Sequence, residues 1–245
     1  MTNFLMDYTM EKSKIQMLHD ACNYIFSQKE LPTFQQIQRL RNILNIFEAV
    51  DVGIDEFNVD GSPSSSPKIT NGLIPGQGVS EITYIHIYEC DNFSIGIFCF
   101  PAGRTFPLHD HTGMTVLSKL LYGSVYVKAY DWVWEENSSP RTNGLAGTVI
   151  DGIFNAPCEP FVLFPRSGGN IHSFTALTPC AILDVLSPPY NDDFGRPCTY
   201  FFDFLIPSLP GYALLEEREL KLPYDLVVNG APYLGPPLDV AEDLC

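Results

Sequence analysis

Three of the chain's five histidines stand at positions that could do chemistry together. His109 and His111 are two apart in Phe106-Pro107-Leu108-His109-Asp110-His111-Thr112-Gly113-Met114. On a strand, residues i and i+2 face the same way, so both imidazoles can aim at one point. His172 lies well beyond them, in Pro165-Arg166-Ser167-Gly168-Gly169-Asn170-Ile171-His172-Ser173-Phe174. It follows a Gly-rich turn and enters a β segment, where a third imidazole would complete the set. Three neutral nitrogens on one face of a six-coordinate metal leave three adjacent positions open, which suits ferrous iron and oxygen chemistry. Imidazole also binds zinc, copper and nickel, so position alone does not decide the metal. A His-x-His pair also arises by chance on exposed strands, so its context has to carry the reading. His19 falls in a helical segment and His86 in a strand ahead of the motif. Both read as structural or surface residues.

Side chains so far apart in sequence need a rigid frame to bring them together. The first fifty residues read as helical. Ile15, Leu18, Cys22, Ile25 and Phe26 recur at helical spacing. Thr33 with Gln36 makes a capping box ahead of Ile37, Leu40, Ile43, Leu44 and Phe47 on one face. Composition then turns to Gly, Ser, Pro and Asn, which predicts a flexible connection. Strand-like segments follow at 82–88, 94–100, 116–121, 124–132, 147–150, 161–164, 180–186 and 199–204, rich in β-branched and aromatic residues. A polar loop at 135–144 interrupts them. Many short strands after a helical prologue, without strand–helix alternation, mean an antiparallel sandwich or small barrel. The expected organisation is a helical region at 1–58 packed on the barrel, a flexible loop at 59–78, and a barrel region with a C-terminal extension at 79–245, together one structural domain.

Composition sets outer limits. A chain of 245 residues with 45% apolar content builds a sizeable core. The formal charge of −15 argues against nucleic acid and against an anionic membrane surface. It would attract a basic peptide or a small cation, and it also keeps a protein soluble. No apolar run is long enough to span a bilayer, and the segment from Met1 to Lys14 lacks the pattern of a signal peptide. Seven irregularly spaced cysteines, with no CxxC pair, read as reduced thiols of the cytosol or nucleus, not as a thiolate zinc site. With no long apolar helix left over, a monomer is expected.

Context strengthens the histidines. Gly103, His109, His111 and the later Gly123 match the first motif of the cupin barrels. In many cupins a glutamate follows the second histidine by four or five residues, and here Thr115 and Val116 stand there. The second cupin motif is matched more loosely: Gly169-x-x-His172 fits, Pro165 is one residue further from its glycine than usual, and Ala176 stands where asparagine is frequent. The fold class expected is therefore mainly β, a cupin-type double-stranded β-helix with N-terminal α-helices.

The match then narrows to a family. The run His109-Asp110-His111-Thr112-Gly113-Met114-Thr115-Val116-Leu117-Ser118-Lys119-Leu120-Leu121-Tyr122-Gly123, continuing to Lys128-Ala129-Tyr130-Asp131-Trp132, resembles the plant cysteine oxidases. So do Ile182-Leu183-Asp184-Val185-Leu186-Ser187-Pro188-Pro189-Tyr190 and Gly195-Arg196-Pro197-Cys198-Thr199-Tyr200-Phe201. Animal 2-aminoethanethiol dioxygenase is the more distant branch. One departure is Thr112, where proline is expected in most relatives.

The resemblance implies one Fe(II) held by His109, His111 and His172 without a carboxylate, in agreement with the missing glutamate. It implies O2 as co-substrate and oxidation of a protein's N-terminal cysteine to its sulfinic acid. The implied partners are transcription factors of the ethylene-response kind. The sulfinate would mark them for an N-degron pathway, making the enzyme an oxygen sensor of the hypoxia response in cytoplasm and nucleus. A substrate thiolate and free α-amine would fill two open positions beside the oxygen, so an internal cysteine, with its amide nitrogen, would be a poor substrate. Asp184 follows the apolar Ala181-Ile182-Leu183, and a buried carboxyl there needs a partner; the residues alone fit a structural hydrogen bond or a surface position equally well, and the resemblance points to a role beside the iron, orienting the substrate amine or relaying a proton. Tyr190 either lines the same pocket or is a packed aromatic in a Pro-Pro-Tyr turn. Cys198 and Tyr200, two apart, would share a face of a strand; related thiol dioxygenases can carry a Cys–Tyr thioether, and the other reading is a core thiol beside a core tyrosine. Arg104, ahead of the histidine pair, carries no specific signal. The rival readings are a dioxygenase of free cysteine or cysteamine, a non-catalytic metal-binding cupin, and a zinc-dependent enzyme on the same barrel.

Overall fold

In a computed structural model, residues 12–54, 81–133, 143–219 and 226–240 are described. The helices form where periodicity and caps place them. Ser13 caps α1 (Lys14–Phe26) through the N–H of Gln16, and Thr33 and Gln36 close a capping box at α2 (Phe34–Asn45). Their apolar stripes, Ile15, Leu18, Cys22 and Ile25 on α1 with Ile37, Leu40 and Leu44 on α2, are buried. A 3₁₀ turn at Ala49–Val52 follows, ending in a left-handed Gly53.

Twelve strands come next: β1 (Ile82–Glu89), β2 (Ser94–Phe100), β3 (Thr105–His109), β4 (Thr115–Tyr122), β5 (Ser124–Trp132), β6 (Asn143–Asn155), β7 (Phe161–Leu163), β8 (Ile171–Ala176), β9 (Cys180–Ser187), β10 (Phe201–Leu205), β11 (Tyr212–Glu217) and β12 (Val228–Ala231). They form two sheets of six, in the orders β12-β1-β2-β9-β4-β7 and β10-β11-β6-β5-β8-β3. Every pairing is antiparallel except β1 with β12. Alternation along each strand divides the first sheet between two cores. Ile85, Ile95, Ile97, Leu117, Leu183 and Val185 face outward and pack under the helices. Ile82, Phe100, Leu120 and Ile182 face inward against Val125, Val127 and Phe174 of the second sheet. The result is the expected cupin-type double-stranded β-helix with two helices docked on one wall.

Strand ends differ from the sequence reading where glycine and aspartate obscure alternation. The segment expected at 147–150 is the longest strand, β6, because it pairs with β5 along its C-terminal part and with β11 along its N-terminal part. Asn143 and Gly144, expected in a loop, are therefore its first residues. The rest of that loop and the whole of 59–78 lie outside the described residues. Gly123 joins β4 to β5 in a single residue at φ +84°, and a Cβ there would come within 2.2 Å of the Pro179 carbonyl, so the turn requires glycine. Among the described residues no helix is long and apolar enough to cross a membrane.

Candidate metal centre

His109 is the last residue of β3 and lies directly opposite His172 on β8, which in turn faces Ala129 on β5. His111 is not on the strand. It sits in the turn after β3, so the i, i+2 argument does not place it. Hydrogen bonds place it instead. Asn170 receives the His111 N–H on Oδ1 at 3.1 Å and donates from Nδ2 to the His111 carbonyl at 2.9 Å and to the Phe164 carbonyl at 2.8 Å. The turn that carries Asn170 is itself clamped: the carboxylate of Asp131 accepts the N–H groups of Gly168, Gly169 and Asn170 at 2.9, 2.9 and 3.0 Å. Gly168 and Gly169 both adopt positive φ, which turns consecutive amides toward that carboxylate.

The three rings converge, with centroids 4.7–5.0 Å apart and one nitrogen from each within 4.8 Å of the others. Each Nδ1 is occupied. His109 Nδ1 meets the Pro107 carbonyl at 2.8 Å and His172 Nδ1 the Gly169 carbonyl at 3.2 Å. A carbonyl only accepts, so both Nδ1 atoms carry the proton. His111 Nδ1 meets the Tyr190 hydroxyl at 2.8 Å, and that hydroxyl reaches the Asp110 carbonyl at 2.6 Å. The phenol gives its one proton to the carbonyl and accepts from His111. All three Nε2 atoms thus keep free lone pairs, which is the tautomer a metal needs. Burial holds the rings neutral, lowering His109 to about 4 and pushing His111 and His172 well down. Three unprotonated lone pairs buried together fit a divalent transition ion.

Above them is a cavity of about 200 Å³. Phenylalanines from both sheets line it: Phe98 and Phe100 of β2, Phe106 of β3 and Phe174 of β8. Asp184 lines it from β9, between Gly96 of β2 and Ser118 of β4. The residue is 8% exposed, and Oδ1 has no hydrogen-bond partner among the described residues. Burial raises its carboxyl to about 7, an effect that the Ser118 hydroxyl partly offsets. Among the described residues lining the cavity there is no lysine or arginine.

Of the other expected site residues, Tyr190 and Cys198 line the cavity, and Tyr200 stands behind them, bridged to His109 through its backbone. Cys198 and Tyr200 precede β10 and do not share a strand face. They still meet: the Cys198 thiol interacts with the hydroxyls of Tyr200 and Tyr190, and burial raises it to about 11. Asp110 fixes this segment, accepting the Thr199 N–H at 3.0 Å on one oxygen and the Thr112 hydroxyl at 2.6 Å on the other. Thr112 thus supplies a hydrogen bond that a proline there would lack. Arg104 is exposed and outside the cavity lining. His19 is buried beside Tyr88 and Phe93, and His86 is exposed on β1. Sequence reasoning missed Asn170, Asp131 and Asp110 as supports. The available signal was an aspartate between the first two histidines, another near the end of β5 and an asparagine two residues before the third histidine.

A cupin barrel whose three neutral imidazoles share one buried point has the donor set of a metal-dependent enzyme. The PCO_ADO family model matches residues 43–238. The chain belongs to that family. It is 40% identical to plant cysteine oxidase 2 of Arabidopsis thaliana over 91% of this chain and 82% of that protein. Plant cysteine oxidase 1 of the same plant is 39% identical over 92% of this chain and 80% of its own length. Human 2-aminoethanethiol dioxygenase is 30% identical over 82% and 81% respectively. The chain is a thiol dioxygenase of this family.

Proposed function

We propose that the chain holds one Fe(II) on His109, His111 and His172 and uses O2 to oxidise the N-terminal cysteine of a protein to cysteine sulfinic acid. The observation that carries the choice of substrate is Asp184: a buried carboxyl with an unpaired oxygen, in a cavity whose described lining has no cation. When bound, ferrous iron supplies the centre at which a thiolate and dioxygen meet, taking sulfur directly to the sulfinic rung.

The protein's own groups do the rest. The Nδ1 hydrogen bonds hold the three Nε2 lone pairs at one point. Asp184 Oδ1 receives the substrate's α-ammonium and, with its proton affinity raised to about 7, takes a proton from it near neutral pH. Tyr190 is a positioning residue that orients His111. The rings of Phe98, Phe106 and Phe174 exclude water from the thiol. Cys198 and Tyr200 lie beside this machinery as a thiol–phenol pair available for a thioether.

The same chemistry weighs against free cysteine. Its α-carboxylate would enter a cavity with no cationic side chain among the described lining residues, where only the proposed iron, already engaged with the thiolate and O2, could offset a buried charge that otherwise costs several kcal/mol. In a peptide that group is a neutral amide. Cysteamine also lacks the carboxylate and is the second reading, favoured by the likeness to 2-aminoethanethiol dioxygenase. The likeness to plant cysteine oxidases supports protein substrates. We extend it to ethylene-response-type transcription factors and an oxygen-sensing step of an N-degron pathway in cytoplasm and nucleus.

The test is mass spectrometry of a Cys-initiated peptide, cysteamine and free cysteine incubated separately with iron-loaded protein. A gain of about 32 Da on the peptide, two oxygen atoms, is expected to need O2 and to vanish in His172→Ala and on N-acetylation of the peptide. Turnover of the acetylated peptide would remove Asp184's partner and the assignment with it. Oxidation of cysteamine alone would move the function to the small thiol.

A further inference from the structure

Of the described residues that line the cavity, Glu89 alone is exposed, so it marks the mouth. It ends β1, beyond a register shift between His86 and Tyr88, opposite Ser94. Behind it on the same strand, Tyr84 also lines the cavity. Tyr84 pairs in register with Phe98, but its ring lies back across Gly96: a Cβ on Gly96 would come within 2.5 Å of the Tyr84 hydroxyl. Gly96 in turn faces Asp184 on β9. The missing side chain at Gly96 therefore leaves space for a phenol on the way from the mouth to the buried carboxyl. The phenol feels both ends of that path, since burial, Glu89 and Asp184 together raise it to about 12, and it stays a donor at any physiological pH. The path runs from an exposed carboxylate, past a phenol, to the unpaired Oδ1 of Asp184.

A substrate whose terminal amine is at Asp184 must lead its chain out toward the mouth. We propose that Tyr84 and Glu89 form the subsite for the residues that follow the substrate's cysteine, with Tyr84 hydrogen-bonding the peptide backbone and Glu89 favouring a cationic side chain. This rests on the N-terminal cysteine reading above. The chemical class selected is a basic peptide terminus, in keeping with a protein of net charge −15. An exposed carboxylate acts through a partly screened Coulomb interaction, so the preference is modest and sensitive to salt.

The experiment compares kcat/KM for sulfinate formation on three peptides that differ only at the second residue, Cys-Gly, Cys-Lys and Cys-Asp, each followed by the same neutral sequence. The wild-type enzyme is expected to prefer Lys over Asp by about three- to tenfold at low salt. The preference shrinks at about 0.5 M salt, where the Debye length is only a few ångströms. It reverses in Glu89→Lys. Gly96→Ala displaces the Tyr84 ring and is expected to raise KM for the peptides more than for cysteamine; an equal effect on both would remove Tyr84 from the subsite. A ratio near one in the wild type, or the same ratio in Glu89→Lys, overturns the charge preference while leaving the N-terminal cysteine reading intact. Oxidation of cysteamine with no peptide turned over defeats that reading, and the subsite falls with it.

Discussion

The two walls of the cavity are built on opposite plans. On the wall of β3 and β8 every polar group around the histidines is matched. Asn170 grips both backbone groups of His111, Asp131 takes three consecutive amides, and each Nδ1 has its oxygen. On the wall of β2 and β9 a buried carboxyl has an oxygen with no partner among the described residues. A folded chain rarely buries an unpaired polar atom, because each costs about 1–3 kcal/mol. The difference teaches that one wall is complete on folding and fits a metal, while the other keeps an unmet demand that the proposed substrate amine would satisfy. Preorganisation and unmet demand are two sides of one site.

The largest expected effect comes from removing the carboxyl of the unfinished wall. Asp184→Asn keeps shape and removes the proton acceptor. It is expected to lower kcat/KM by about 10²-fold or more, the usual scale for losing a general base. In metal-free protein the same change should alter the pH dependence of stability. The carboxyl is raised from 3.8 to about 7 in the folded chain. Below pH 3.8 folded and unfolded chains both carry its proton, and the contribution is fully present. As pH rises toward and through 7 the unfolded chain has already released that proton, and a contribution on the order of 4 kcal/mol is lost. Thermal melts of the wild type should therefore fall between pH 4 and 7 more steeply than those of Asp184→Asn. Parallel melts with reduced turnover would mean that Asp184 is paired in solution, and the contrast between the walls would disappear.

These walls were not equally legible in the sequence. The three histidines were read from spacing and a motif, which are local signals, whereas the charge set in an apolar run left Asp184 open and the family resemblance pointed it toward the metal. The helices were placed well, since a capping box and a 3.6-residue period are also local. The supports of the metal wall were not. Asp131 is next to last on β5 and clamps a turn nearly forty residues on, and only the β5–β8 pairing brings them together. Tyr84 and Gly96 likewise become neighbours only through the β1–β2 ladder. The turn placing His111 was read as strand because i, i+2 spacing alone cannot distinguish an extended segment from one held by a side chain across the barrel. β6 was cut short for a related reason: its glycines break the alternation that its two neighbouring strands make unnecessary.

A middle-sized effect should come from loosening the finished wall at one bond. Tyr190→Phe leaves the Nδ1 proton of His111 without its acceptor and the Asp110 carbonyl without its donor. Removing such an outer hydrogen bond weakens metal binding by about 10- to 100-fold. Competition with a chelator should show that loss, with kcat recovering when iron is saturating. If kcat instead falls at saturating iron with affinity unchanged, the hydroxyl acts on substrate, and Tyr190 belongs with Asp184 and not with the histidines.

The smallest effect tests how far the finished wall extends from the metal. Asp131 touches none of the histidines, yet its carboxylate holds the turn from which both His172 and the Asn170 clamp emerge. Asp131→Ala removes three acceptor contacts, but Gly168 is exposed, so water replaces part of what is lost. The net cost expected is about 2 kcal/mol of stability, in the range of losing a charged cap on backbone amides. Denaturant melts of the metal-free and metal-loaded protein would divide that cost. If the turn is held mainly by Asp131, the loss is larger without metal, because the ion bound through His172 then restores the same geometry. Equal losses in both forms would mean that β5 and β8 alone fix His172, and that the clamp stabilises the barrel without tuning its metal.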